Sequence, residues 1–215
     1  MLISSKHFRR SFFKGFTQHQ NKFGAGFTLI ELIVVSAIII VITTFILFQQ
    51  SKFNSSTLLR SLAYSIALSV RQAQVYGTSV RESSLGSNIF SAGYGIHIPS
   101  AGVSSADTYY IFSDLDGNGK YDVGEELPLF KLGKGYMINN ICGVIGTSCT
   151  TVSKLTIFFR RPNPEAFISD NVASDMYPAA FIQVKSTGNS DTRSVKISNT
   201  GQISVCQPNR VPPQC

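Results

Sequence analysis

Residues 114–125 read Asp114-Leu115-Asp116-Gly117-Asn118-Gly119-Lys120-Tyr121-Asp122-Val123-Gly124-Glu125. Counted from Asp114, oxygen-bearing side chains stand at the first, third, fifth, ninth and twelfth places, with glycine at the sixth. That is the ligand spacing of a calcium loop. A hard divalent cation takes about six to eight oxygens: carboxylates supply most, and a main-chain carbonyl at the seventh place supplies one. Glycine makes the sharp turn, and a glutamate at the twelfth closes the shell with both oxygens. The pattern predicts a structural Ca2+ site made by Asp114, Asp116, Asn118, the Lys120 carbonyl, Asp122 and Glu125. Its work would be to order the loop. The flanks, residues 108–113 and 126–132, alternate as strands do, so the loop should close a β-hairpin rather than join the two helices of an EF-hand. The plain alternative is an acidic, glycine-rich turn without a metal.

A second chemical signal lies at the other end of the chain. Residues 27–48 are 22 positions in which Glu31 is the only charge. About 20 apolar residues suffice for a helix to cross a bilayer core with its backbone bonds satisfied internally. A carboxylate in such a span is costly unless a partner neutralises it, so Glu31 marks function. A secretory signal peptide would be shorter and end in a small-residue cleavage site, which the residues after Phe48 do not offer. A simple anchor would give no reason for the Gly26-Phe27 junction.

Gly26-Phe27-Thr28-Leu29-Ile30-Glu31-Leu32 resembles the processing and assembly motif of type IV prepilins and of type II secretion pseudopilins. The resemblance implies that residues 1–26 are a leader removed by a membrane prepilin peptidase between Gly26 and Phe27, and that the new Phe27 amine is methylated. It further implies that Glu31 pairs with the terminal amine of a neighbouring subunit in a filament. Such a partner is what the buried charge requires, since a lone carboxylate in hydrocarbon would protonate.

Charge agrees with that orientation. The formal charge is +7, but residues 1–26 hold Lys6, Arg9, Arg10, Lys14 and Lys22 with no acid, leaving 14 basic against 12 acidic side chains in the remainder. Basic residues stay cytoplasmic, so everything after Phe48 should lie outside the cytoplasm, on a single-pass protein of the cytoplasmic membrane. A nearly neutral exported part gives, by charge alone, no case for nucleic acid. Four cysteines, Cys142, Cys149, Cys206 and Cys215, all fall in that part, where oxidising conditions favour disulfides. Short loops favour Cys142 with Cys149 and Cys206 with Cys215, although four cysteines allow three connectivities. Without a C-x-x-C, and with His97 the one histidine after residue 26, zinc is a weak reading. His97 lies in an alternating apolar strand with no nucleophile beside it, so it is expected to point from one sheet face into solvent or to a polar contact, and nothing marks an enzyme.

The elements that must position these groups follow from period. Leu58, Leu62, Ile66, Ser69, Val70 and Ala73 recur at three- and four-residue spacing, predicting an amphipathic continuation of the helix over 49–77 with Gly77 as its stop. No proline interrupts it. Beyond Gly77 the period becomes two. Strands are expected at 78–82, 94–98, 108–113, 126–132, 155–160, 180–185, 194–198 and 202–205, the last two as a hairpin through Asn199-Thr200-Gly201. Residues 83–91 and 100–106 read as loops. The expectation is α+β: a long N-terminal helix, half transmembrane and half amphipathic, packed on an antiparallel β-sheet domain over 78–215.

That layout, with Arg71 and Ala73 on the helix and Gly201 in the final hairpin, is similar to the GspH/FimT group of minor pilins and pseudopilins. Some FimT-like pilins bind DNA through arginines around the hairpin glycine, but Gln202 and Ser204 stand at those positions here. Lys154, Arg160, Arg161, Arg193, Lys196 and Arg210 are the cations that folding would have to cluster for phosphate binding.

Overall fold

The computed structural model describes residues 26–83, 86–99, 107–133, 135–170, 176–188, 190–207 and 215. The leader cations, Arg210 and the 100–106 loop lie outside them. The chain divides into two compact units, one ending at Phe48 and the other running from Gln49 to Cys215.

In the first unit, α1 (Leu29–Thr78) begins. Thr28 caps it, its Oγ1 accepting from the Glu31 main-chain N–H at 3.2 Å, so Glu31 occupies the acid-favouring first turn. From Leu29 to Phe48 mean hydropathy is 2.8 and no side chain is buried, which makes this stretch long and apolar enough to cross a membrane. Its hydroxyls turn inward. Ser36 donates to the Ile33 carbonyl at 2.9 Å, Thr43 to that of Ile39 at 2.8 Å and Thr44 to that of Ile40 at 2.7 Å. Such back-bonding leaves an almost wholly hydrocarbon surface.

In the second unit, the rest of α1 presents a buried stripe of Leu59, Ala63, Ile66, Val70 and Ala73. The predicted stripe is therefore corrected at its start: Leu58 is exposed, and Leu59 takes the core position. Ser69, a polar member of the stripe, is buried with its hydroxyl 2.9 Å from that of Tyr109. Gly77 does more than stop the helix. A Cβ there would fall 2.4 Å from the Phe159 carbonyl oxygen, so only glycine lets the last turn approach the sheet so closely. The strand expected at 78–82 does not form. Thr78 closes α1, its hydroxyl donating to the Gln74 carbonyl at 2.9 Å, and the chain then loops until the Ser83 N–H reaches Ile89.

Ten strands follow: β1 (Gly93–Ile98), β2 (Thr108–Asp114), β3 (Glu126–Lys131), β4 (Tyr136–Ile145), β5 (Ser148–Thr151), β6 (Leu155–Phe159), β7 (Ala166–Ser169), β8 (Ala179–Ser186), β9 (Thr192–Ser198) and β10 (Ile203–Val205). They form two antiparallel five-stranded sheets, ordered β3-β2-β1-β6-β7 and β10-β9-β8-β4-β5. One cluster joins the α1 stripe with Ile96, Ile111, Ile157 and Phe159 of the first sheet and Ile141, Ile182, Val195 and Ile197 of the second. Helix and both sheets thus share a core, as an α+β domain requires. Buried Gln74 fastens α1 to two distant turns, its amide donating to the carbonyls of Pro164 at 2.8 Å and Gly201 at 3.0 Å.

Strands β4, β5 and β7 are additions to the sequence reading. Asn139-Asn140 and Gly143 break the alternation of β4, yet the strand pairs with β8 from Tyr136 to Gly143 and shifts register at the asparagines. Cys142 and Cys149 are bridged across the β4–β5 hairpin, and Cys206 and Cys215 are bridged after β10.

Candidate functional site

The acidic loop joins β2 to β3. Strand pairing holds its two ends together: the Ser113 N–H donates to the Glu125 carbonyl at 3.0 Å, while Asp114 and Glu125 are both buried. Gly119, sixth in the loop, has φ +73°, the left-handed turn that position requires. Asp114 organises the turn by accepting from the N–H groups of Gly117 at 2.8 Å, Asn118 at 3.1 Å and Gly119 at 2.9 Å. Across the loop, Glu125 accepts from Leu115 N–H at 2.7 Å and Asp122 N–H at 3.1 Å.

These bonds converge three of the predicted ligands. Carboxylate oxygens of Asp114, Asp116 and Glu125 lie within 4.8 Å of one another. Asp122 is not in that trio; Asn118 links it to the group, its amide donating to Asp116 at 2.7 Å and to Asp122 at 2.6 Å. Its Oδ1 accepts from the Lys120 N–H at 2.6 Å, so presenting that oxygen to a cation requires the amide to turn. An all-oxygen set of this kind fits a hard divalent ion and not a thiophilic one. Burial pushes the Asp114 carboxyl above the usual carboxylate range and the Glu125 charge adds to it, while N–H donors from Gly119 and Gly117 oppose the shift.

The loop is also seated on the outer face of the first sheet. Tyr121 stacks on His97 with ring centroids 4.2 Å apart and planes 11° from parallel. Its hydroxyl donates to the Glu126 carboxylate, which that bond holds below the usual range. β1 is buried along its whole length, by the core on one face and by Tyr121, Phe112 and Phe158 on the other.

His97 is a sealed polar contact, not an exposed one. It is 2% accessible, and Nδ1 lies 2.8 Å from Thr156 Oγ1. Burial, reinforced by the Lys154 charge, lowers its pKa to about 4. The unfolded chain thus binds the imidazole proton more readily than the folded one, so this group's stabilisation is complete above pH 6.5 and is lost as pH falls towards 4. That lowering corresponds to about 3 kcal/mol across the window. Thr156 and Tyr121 contact the ring, and Tyr110 lies opposite His97 on β2. A His97→Gln variant should unfold with a visibly flatter pH dependence between pH 6.5 and 4 than the parent, measured by urea titration. Equal slopes would show that the ring is not sealed.

Among the described residues, the cations considered for phosphate binding fall on both sheets. Arg160 sits over the Phe167 ring at 4.8 Å and Arg161 donates to the Phe90 carbonyl, both beside the first sheet. Arg193 and Lys196 lie on β9 of the second sheet, Lys196 over the Phe181 ring at 5.8 Å. Gln202 follows Gly201, and Ser204 lies within β10. Comparison of the chain with known protein families, with curated proteins and with solved structures returns no match.

Proposed function

We propose that this chain is a pilin-like subunit, a minor type IV pilin or a type II secretion pseudopilin, made as a precursor and assembled through its N-terminal helix. The carrying observation is the sequence Gly26-Phe27-Thr28-Leu29-Ile30-Glu31 at the head of a 20-residue apolar span whose first turn holds its one charge. In this reading prepilin peptidase cuts after Gly26, the span holds the subunit in the cytoplasmic membrane, and the β-rich part lies outside the cytoplasm. Spans of several subunits bundle into a filament core, where Glu31 meets a neighbour's Phe27 amine. Outward-facing apolar side chains with internally bonded hydroxyls suit such a bundle. N-terminal sequencing of protein made in its own host should begin at a methylated Phe27. An intact leader in the mature pool would refute processing.

The acidic loop is read as a structural calcium site held by Asp114, Asp116, Asn118, Asp122, Glu125 and the Lys120 carbonyl. A bound divalent ion would neutralise the carboxylates that the fold brings together, and the seated loop would be ordered by it. The full chain in mild detergent should melt roughly 5–10 °C higher in millimolar calcium than in chelator, about what saturation at a hundred times the dissociation constant provides. The gain should vanish in Glu125→Gln. No shift in the parent would mark the loop as a metal-free turn.

A further inference from the structure

A groove of about 440 Å3 runs between α1 and β10, with Tyr64, Leu68 and Arg71 on the helix side and Gln202, Ile203 and Val205 on the strand side. Three independent features give it the character of a peptide site. The helix side is apolar and open, Leu68 being 68% and Tyr64 47% accessible.

Among the described residues, the strand side is an unpaired edge. β10 ends its sheet and pairs only with β9. The Ser198 N–H donates to the Gln202 carbonyl and the Cys206 N–H to that of Ser194, so Gln202, Ser204 and Cys206 carry the bonds to β9. By antiparallel alternation, the main-chain groups of Ile203 and Val205 point outward. Among the described residues they have no main-chain partner. Cys215, whose Sγ is 3.8 Å from Ser204 Oγ, lies towards the opposite sheet face from the Ile203 and Val205 side chains.

The third feature is a positioned cation. Arg71 Nη1 donates to Oε1 of Gln74, the buried amide whose nitrogen is tied to Pro164 and Gly201. Among the described residues Arg71 forms no ion pair. Its guanidinium is thus anchored from behind, and among the described residues its other donors face the groove without an acidic partner.

We propose that this groove takes a short extended segment of another polypeptide, which adds as a strand to the β10 edge, lays apolar side chains over Tyr64 and Leu68, and sets a carboxylate on Arg71. Strand addition of this kind draws affinity from main-chain bonds and specificity from alternate side chains. β10 spans about 10 Å, room for a segment of about three or four residues. The proposal does not depend on leader cleavage or filament assembly.

The test uses the full chain in mild detergent and a fluorescein-labelled peptide Gly-Thr-Val-Thr-Val with a free C-terminal carboxylate, read by anisotropy. Controls are the same peptide amidated, and the peptide with its valine nitrogens methylated to remove two main-chain donors. The free acid should bind at least about tenfold more tightly than either control, the usual scale for one charge-assisted contact. Arg71→Gln should bring the free acid down to the amide's affinity, with a cooperative melting transition showing that the variant is still folded. No binding at millimolar peptide, or equal affinity for acid, amide and methylated forms, would overturn the proposal. So would a single-stranded oligonucleotide that binds in an Arg71-dependent way and is not displaced by the peptide, since that makes the groove a phosphate site.

Discussion

Gly201→Ala should be the most damaging single-methyl change in the β-rich part of this protein. Gly201 has φ +83°, where an L-residue costs about 1–2 kcal/mol. The added Cβ would also fall 2.1 Å from the Pro164 carbonyl oxygen and 2.5 Å from Gln74 Nε2. Neither neighbour can withdraw cheaply: one is main chain, and the other is the buried amide that ties α1 to both turns. Overpacking of this sort adds about 1–3 kcal/mol. The sum, roughly 2–5 kcal/mol, should lower the melting temperature by about 10 °C in a chain of this size. Gly188→Ala is the control, since a Cβ there meets nothing within 4 Å and the backbone is not left-handed. If the two variants melt together, Gly201 is not the closure between helix, β6–β7 turn and final hairpin.

The second large effect concerns assembly. If the chain is the pilin-like subunit proposed above, Glu31→Ala should leave cleavage after Gly26 intact and abolish entry of the subunit into filaments, measured as processed protein in the sheared surface or pseudopilus fraction. The substitution is clean because the helix cap uses the Glu31 main-chain N–H, which alanine retains. What it removes is the carboxylate that would meet a neighbour's terminal amine. In hydrocarbon, an amine left without that counter-charge costs several kcal/mol, far more than a surface ion pair contributes. Glu31→Gln should fail as alanine does, since an amide keeps the shape but not the charge. Subunits of either variant that assemble as readily as the parent would sink the pairing.

Much of the architecture was legible because it is written in local periods. The shift from helical spacing to alternation near Gly77 marks where α1 ends, within one residue of Thr78. Strands such as β1, β2, β6, β8 and β9 announce themselves by alternating Val, Ile, Phe and Tyr. Strand β4 did not, because asparagines and Gly143 weaken its pattern, and β8 on one side with β5 on the other makes it a strand. The 78–82 segment failed the other way: its Thr-Ser-Val composition suits a strand, but among the described residues no strand pairs with it, and Thr78 finds its partner in the helix instead.

The candidate sites divide along the same line. Ligand spacing in the 114–125 loop, the Gly26-Phe27 junction and the isolation of Glu31 are properties of adjacent residues, set by the order of amino acids alone. The buried lock of Gln74 on Gly201, the sealing of His97 beneath Tyr121 and the groove that presents Arg71 beside the β10 edge join residues dozens of positions apart. No local pattern encodes them. Which remote surfaces meet depends on how a helix and two sheets jointly exclude water, and that is decided only when the whole core closes.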